Sequence, residues 1–123
     1  MKMIIGKKFE FEAAHNLPAD EIYGECSHLH GHRYQLEVEV CGEVNEYGWV
    51  CNYKDLKAIV KECILNKYDH AYLNEFFDVP TAENMVIDMV KQLTVKFEDK
   101  PYKLHKVLLR ETSSSFAEIT IGE

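Results

Sequence analysis

The sequence predicts an α+β domain: a four-stranded antiparallel sheet with two helices packed on one face, in the order ββααββ. Three observations carry this. Apolar residues alternate with polar ones at both ends of the chain, the period changes to that of a helix in the middle, and the connections between the paired strands are of hairpin length.

The first strand covers residues 3–15, where Phe9, Phe11 and Ala13 alternate with Lys8, Glu10 and Glu12. A polar loop from Asn16 to Leu29, containing Pro18 and Gly24, leads to a second strand over 32–41, with Tyr34, Leu36, Val38 and Val40 set against Gln35, Glu37 and Glu39. A turn near Asn45 and Gly48 predicts a short strand around Trp49 to Cys51. From Lys54 to Asn66 the apolar positions are Leu56, Ile59, Val60, Cys63 and Ile64, the stripe of an amphipathic helix, with Asn52 as its cap. The second helix starts after Pro80 with Thr81 as cap and Glu83 in its first turn. Ala82, Val86, Met89, Leu93 and Phe97 share a face, and the helix stops before Asp99 and Pro101. Strands over Leu104–Glu111 and about Phe116–Ile121 close the chain, joined by a turn at Ser113, Ser114 and Ser115. Because Glu37 and Glu39 lie opposite the apolar set, solvent is enough to cover the sheet's second face.

A chain of 123 residues fits one domain, residues 1–123, and 46% hydrophobic with 28% charged residues is ordinary for a globular protein. No apolar run is long enough for a membrane span, and the start MKMIIGKKFE lacks a secretory core, so a cytoplasmic location is expected. The net charge of −7 argues against nucleic acid and anionic membranes as partners. Cys26, Cys41, Cys51 and Cys63 form no CxxC pair, and a disulfide framework is not expected.

The densest chemistry lies in His15, His30 and His32. Residues two apart on a strand point to one side, so the imidazoles of His30 and His32 can face one ion. His15 continues the alternation of Phe9, Phe11 and Ala13 and reaches that side if the two strands pair. Three imidazoles leave the fourth position of a zinc ion open for water or a substrate hydroxyl, as catalytic zinc requires. The bland reading is a set of surface or hydrogen-bonded histidines. Cys26, four residues before His30, can act as a thiolate base over that open position, can close the site as a fourth ligand, or can be an ordinary thiol. Asp69 can orient and charge His70 as an acid/base pair, although a histidine at a helix C-terminus needs no such role. Glu111, at a strand end, can accept two parallel hydrogen bonds from an amidine-like heterocycle edge or simply face solvent.

The segments FEAAH (11–15), CSHLHGH (26–32), DH (69–70), PTAEN (80–84) and RET (110–112) stand in the order and spacing of the 6-pyruvoyl tetrahydropterin synthase family. Nearly the whole chain resembles that family, and the gap between Cys26 and His30 resembles the branch that makes 6-carboxy-5,6,7,8-tetrahydropterin on the way to queuosine. The resemblance implies the tunnelling fold, in which three sheets join into a barrel and two trimers stack as a homo-hexamer with active sites between subunits. It implies that His15, His30 and His32 bind Zn2+, that Cys26 is the general base, and that His70 with Asp69 is the partner acid/base unit, contributed across a subunit boundary. Glu111 matches the residue that anchors the pterin ring, with Thr112 beside it in the substrate-binding set. The implied substrate is 7,8-dihydroneopterin triphosphate, and the implied products are 6-carboxy-tetrahydropterin, acetaldehyde and triphosphate. Formation of 6-pyruvoyl-tetrahydropterin or 6-hydroxymethyl-dihydropterin from the same substrate, or zinc and pterin binding without catalysis, are the alternatives. Two departures stand out: Asn52 replaces an aspartate common in relatives, and Glu25 precedes Cys26 where the hydroxymethyl branch uses a glutamate. Arg33, Lys54 and Lys106 are candidates for the triphosphate.

Overall fold

The computed structural model describes residues 1–122. Two long strands, β1 (Lys2–His15) and β2 (His30–Glu43), pair antiparallel along their whole length, with Ala13 opposite His32 and His15 opposite His30. A helical rod follows: α1 (Tyr53–Val60), a π turn (Lys61–Leu65) and a last α turn, α2 (Asn66–Tyr68). After β3 (Ala71–Tyr72) comes α3 (Ala82–Lys96), and the chain ends with β4 (Tyr102–Thr112) and β5 (Ser115–Thr120).

The sheet runs β3-β1-β2-β4-β5. Its four long strands are antiparallel, as the alternation predicts, but the sheet is mixed and has a fifth strand, because β3 lies parallel to β1. The chain leaving α2 is drawn back along the edge of β1 by the His70 N–H, which donates to the Glu12 carbonyl at 2.5 Å. Two residues of such pairing are too short for any alternation to announce. The strand expected at Trp49–Cys51 is absent. Asn45 N–H donates to the Trp49 carbonyl and Gly48 N–H to that of Asn45, both at 3.0 Å, closing a tight turn that Gly48 permits with φ 87°.

Three α segments replace the two helices expected, yet they lie on two rods, since the backbone stays right-handed helical from α1 through the π turn into α2. A strict α-helix would turn Tyr68 roughly 120° away from Leu56, twelve residues earlier. The π turn, with more residues per turn, absorbs much of that rotation, and Leu56, Val60, Cys63, Ile64 and Tyr68 are all buried. Both expected caps form: Asn52 accepts from Lys54 N–H at 2.9 Å and Thr81 Oγ1 from Asn84 N–H at 3.2 Å.

The two rods cover one face of the sheet. Tyr34, Leu36, Val38 and Val40 on that face have no exposed surface, and truncating Leu36 to Ala would cost about 2–5 kcal/mol in lost contact and cavity. The opposite face carries Glu10, Glu12, Arg33, Glu37, Glu39 and Lys106. No helix among the described residues is long and apolar enough to cross a membrane.

Candidate functional site

The pairing of β1 with β2 delivers the three histidines to one place at the end of the helix-covered face. His15 is 1% exposed, and its Nδ1 donates to the Pro80 carbonyl at 2.7 Å. His30 Nδ1 donates to the His28 carbonyl at 2.7 Å. Both tautomers are thereby set, because a carbonyl can only accept. The two Nε2 atoms then face each other at 3.0 Å. Lone pairs so close need a positive charge between or beside them, either a proton on one ring or a metal ion. His32 Nε2 is buried without a hydrogen-bond partner.

Glu111, arriving on β4, completes the group. Its Oε1 lies 2.9 Å from His32 Nε2, without hydrogen-bond alignment, and 3.3 Å from His15 Nε2. One ligand atom from each of His15, His30, His32 and Glu111 falls within 4.8 Å of all the others. Ligands of a tetrahedral zinc ion sit on the order of 3.4 Å apart, given bonds of about 2.1 Å, so small side-chain adjustments would fit the imidazoles of this set to an ion. The buried, unpartnered Nε2 of His32 and the facing pair of His15 and His30 are what such an ion would satisfy. Carbonyls fixing the far nitrogens are the usual supporting shell of metal-bound histidine.

The electrostatics follow from the same contacts. Burial opposes charging His15, but the Glu111 carboxylate and the Pro80 carbonyl outweigh it and raise its pKa. For His32 burial wins, helped by charge on His15 and His30, and the pKa falls. The contact with His15, aided by the charges of all three imidazoles, holds the Glu111 carboxyl below its usual range despite desolvation. Beneath the group, Tyr34 stacks on Phe11 at 4.9 Å, and its hydroxyl, buried without a partner, is held well above the usual phenol range by burial and by Glu111.

The other predicted residues lie outside this group. Cys26 is exposed in a 3-10 segment, Glu21–Ser27, broken at Gly24, and the Leu17 N–H donates to its carbonyl at 2.8 Å. It stands outside the four-residue group. Asp69 and His70 are together: His70 Nδ1 lies 3.0 Å from Asp69 Oδ1, which also accepts the Glu12 N–H at 3.0 Å. His70 and His32 line one open cleft of about 380 Å³ with Glu12, Ala14 and Arg33. Thr112 is exposed and its hydroxyl accepts from Ser114 N–H at 3.3 Å. Of the triphosphate candidates, Arg33 lines the cleft, Lys106 is tied to Glu39 at 3.0 Å, and Lys54 is exposed at the start of α1. Sequence reasoning missed the supporting carbonyls of His28 and Pro80 and the membership of Glu111, which depends on how β4 docks on β2. The same-face spacing of Tyr34 and His32 was the one signal that placed Tyr34 against the site.

Known proteins resemble this chain over nearly its whole length. A 6-carboxy-5,6,7,8-tetrahydropterin synthase of Synechocystis is 36% identical over 121 residues, covering 93% of this chain and 90% of its own. A 6-pyruvoyl tetrahydrobiopterin synthase of Dictyostelium discoideum is 35% identical over 130 residues, covering 93% of each. The structure of 6-pyruvoyl tetrahydropterin synthase from Caenorhabditis elegans superposes with a TM-score of 0.88 at 28% identity, over 99% of this chain and 97% of that one. The profile of the family matches residues 4–121, and with the fold and the histidine register it places this chain in the 6-pyruvoyl tetrahydropterin synthase family.

Proposed function

We propose that the protein is a zinc-dependent synthase of 6-carboxy-5,6,7,8-tetrahydropterin, acting in queuosine biosynthesis. It would convert 7,8-dihydroneopterin triphosphate and water to that pterin, acetaldehyde and triphosphate. The observation that carries this reading is the convergence of His15, His30 and His32, tautomers fixed and Nε2 atoms inward, in a chain of this family. A divalent ion held there supplies a charge that makes a bound hydroxyl more acidic and steadies developing oxyanions.

The chain's own residues supply the rest. Glu111, released from the imidazoles once their Nε2 atoms are taken, can accept two parallel N–H bonds from the amidine-like edge of a pterin, with Thr112 next to it. Cys26, exposed on its loop, is the base that removes a proton from the substrate side chain. Asp69 holds Nδ1 of His70, which leaves the far ring nitrogen free to give or take a proton in the cleft. Arg33 on the cleft wall suits the triphosphate. The open edges of the sheet support a homo-hexamer: among the described residues β5 has no outer neighbour, and the edge of β1 away from β2 pairs with a strand only at Ala13 and Ala14.

Mixing zinc-loaded protein with 7,8-dihydroneopterin triphosphate tests the proposal. Acetaldehyde and the 6-carboxy product are expected in equal amounts, and sedimentation should give six times the 14.3 kDa chain mass. The second reading is formation of 6-pyruvoyl-tetrahydropterin, favoured by the near-equal identity of the Dictyostelium relative. Triphosphate release without acetaldehyde would establish it instead. Pterin binding with no triphosphate release would leave a non-catalytic protein.

A further inference from the structure

His70 is the one non-glycine residue among those described with a positive φ, 61°. An L-residue seldom rests there, histidine more readily than most, and both sides of His70 are fixed. Ahead of it, Ala71 and Tyr72 pair with Ala13 and Ala14. Behind it, two residues back, Tyr68 is 1% exposed, with its ring against Phe76 at 5.3 Å and Phe77 at 5.6 Å. The Tyr68 hydroxyl donates to Asp88 Oδ2 on α3 at 2.5 Å, and Gln92 Nε2, one turn further along α3, donates to the same oxygen. Asp69 and His70 are therefore a short span stretched between α3 and the edge of β1.

Asp88 and Gln92 play no part in the metal group or in the cleft that holds His70. A half-buried carboxylate on the packed side of a helix needs a reason, and its partners here are the Gln92 amide one turn on and a hydroxyl on the residue preceding the acid/base pair. We infer that Asp88 and Gln92, acting through Tyr68, are positioning residues for Asp69 and His70: they fasten the chain to α3 so that the His70 backbone cannot relax and its ring stays beside Asp69. This rests on the reading of His70 as a proton carrier.

The test uses zinc-loaded protein with the variants Tyr68→Phe and Asp88→Ala, read by steady-state turnover of 7,8-dihydroneopterin triphosphate, by NMR of the His70 ring and by thermal unfolding. Displacing a reacting group by about 1 Å can cost up to a hundredfold in rate, so a fall of about tenfold in kcat with KM within about twofold is expected. The His70 ring resonances, which also sense Glu10, Glu12 and Arg33 nearby, should move in both variants. Asp88→Asn, which keeps an oxygen for the Tyr68 hydroxyl, should recover most of the rate. Unmoved resonances overturn the inference, as does a loss of kcat that merely follows lowered thermal stability. If Tyr68→Phe does not fold, the half-buried Asp88→Ala carries the test. His70→Ala with full turnover would refute the proton-carrier reading, and the ring resonances of the other variants would still decide the positioning.

Discussion

The Nε2 atoms of His15 and His30 face each other at 3.0 Å while their Nδ1 atoms donate outward to Pro80 and His28. The carbonyls commit each ring to one tautomer and so commit the space between the rings to a cation. In metal-free protein a proton would meet that need, in keeping with the raised pKa of His15, and in the proposed function a divalent ion would take its place.

One divalent ion per chain is therefore expected on titration with zinc, with protons released as it binds. At about 1,000 times its dissociation constant such an ion stabilises the fold by about 4 kcal/mol, on the order of 15 °C in Tm. Chelation should remove that rise, and His32→Ala, at a half-buried position, should lack it. Differential scanning calorimetry with and without chelator reads this directly. A full rise in His32→Ala would show that the three imidazoles are not the ligands.

The contact between His15 and Glu111 sets a pH window in the metal-free protein. The lowered carboxyl contributes stability present above its ordinary value of 4.5 and lost as pH falls through the folded value. The raised imidazole contributes stability fully present below its ordinary value of 6.5 and lost as pH rises through the folded value. The contact is thus strongest between 4.5 and 6.5. Urea unfolding of chelated protein should show Glu111→Gln costing more at about pH 5.5 than at about pH 8.5. An equal cost at both would mean that the pair does not exchange charge.

Cys26→Ala should keep zinc and fold, because the thiol is exposed and outside the metal group. Removal of a general base lowers turnover by about 10²–10⁴. Metal content by atomic absorption together with triphosphate release checks both halves, and turnover near wild type would remove Cys26 from the reaction.

Most of the sheet was readable because burial on one face forces alternation: β1, β2 and β5 follow it, and β4 departs from it only at its bulge and the buried run Val107, Leu108 and Leu109. The helices were readable for a similar reason, and Asn52 and Thr81 sit at their starts as caps. The apolar run Trp49 to Cys51 misled, since three such residues suit a turn packed on the core as well as a strand, and the left-handed Gly48 decides between them. The π turn and β3 escaped because each answers to a distant contact, Tyr68 with α3 and His70 with β1. The histidine triad was legible through the two-residue spacing of His30 and His32. Glu111 joined it for a reason local sequence cannot carry, the docking of β4 on β2.

The strained backbone at His70 makes stability and activity separable. With φ at 61°, an alanine there bears the steric penalty of its Cβ, about 1–2 kcal/mol, whereas glycine bears none. Glycine also has more freedom to lose on folding, which offsets roughly half of that gain. His70→Gly should therefore be more stable than His70→Ala by about 0.5–1 kcal/mol, against the usual order of these residues. Both should lose the proton carrier and fall together in turnover. Chemical denaturation of the two variants, with both loaded with zinc, measures the difference. His70→Ala as the more stable of the two would mean that the backbone relaxes out of the left-handed region and that no strain is held at this residue.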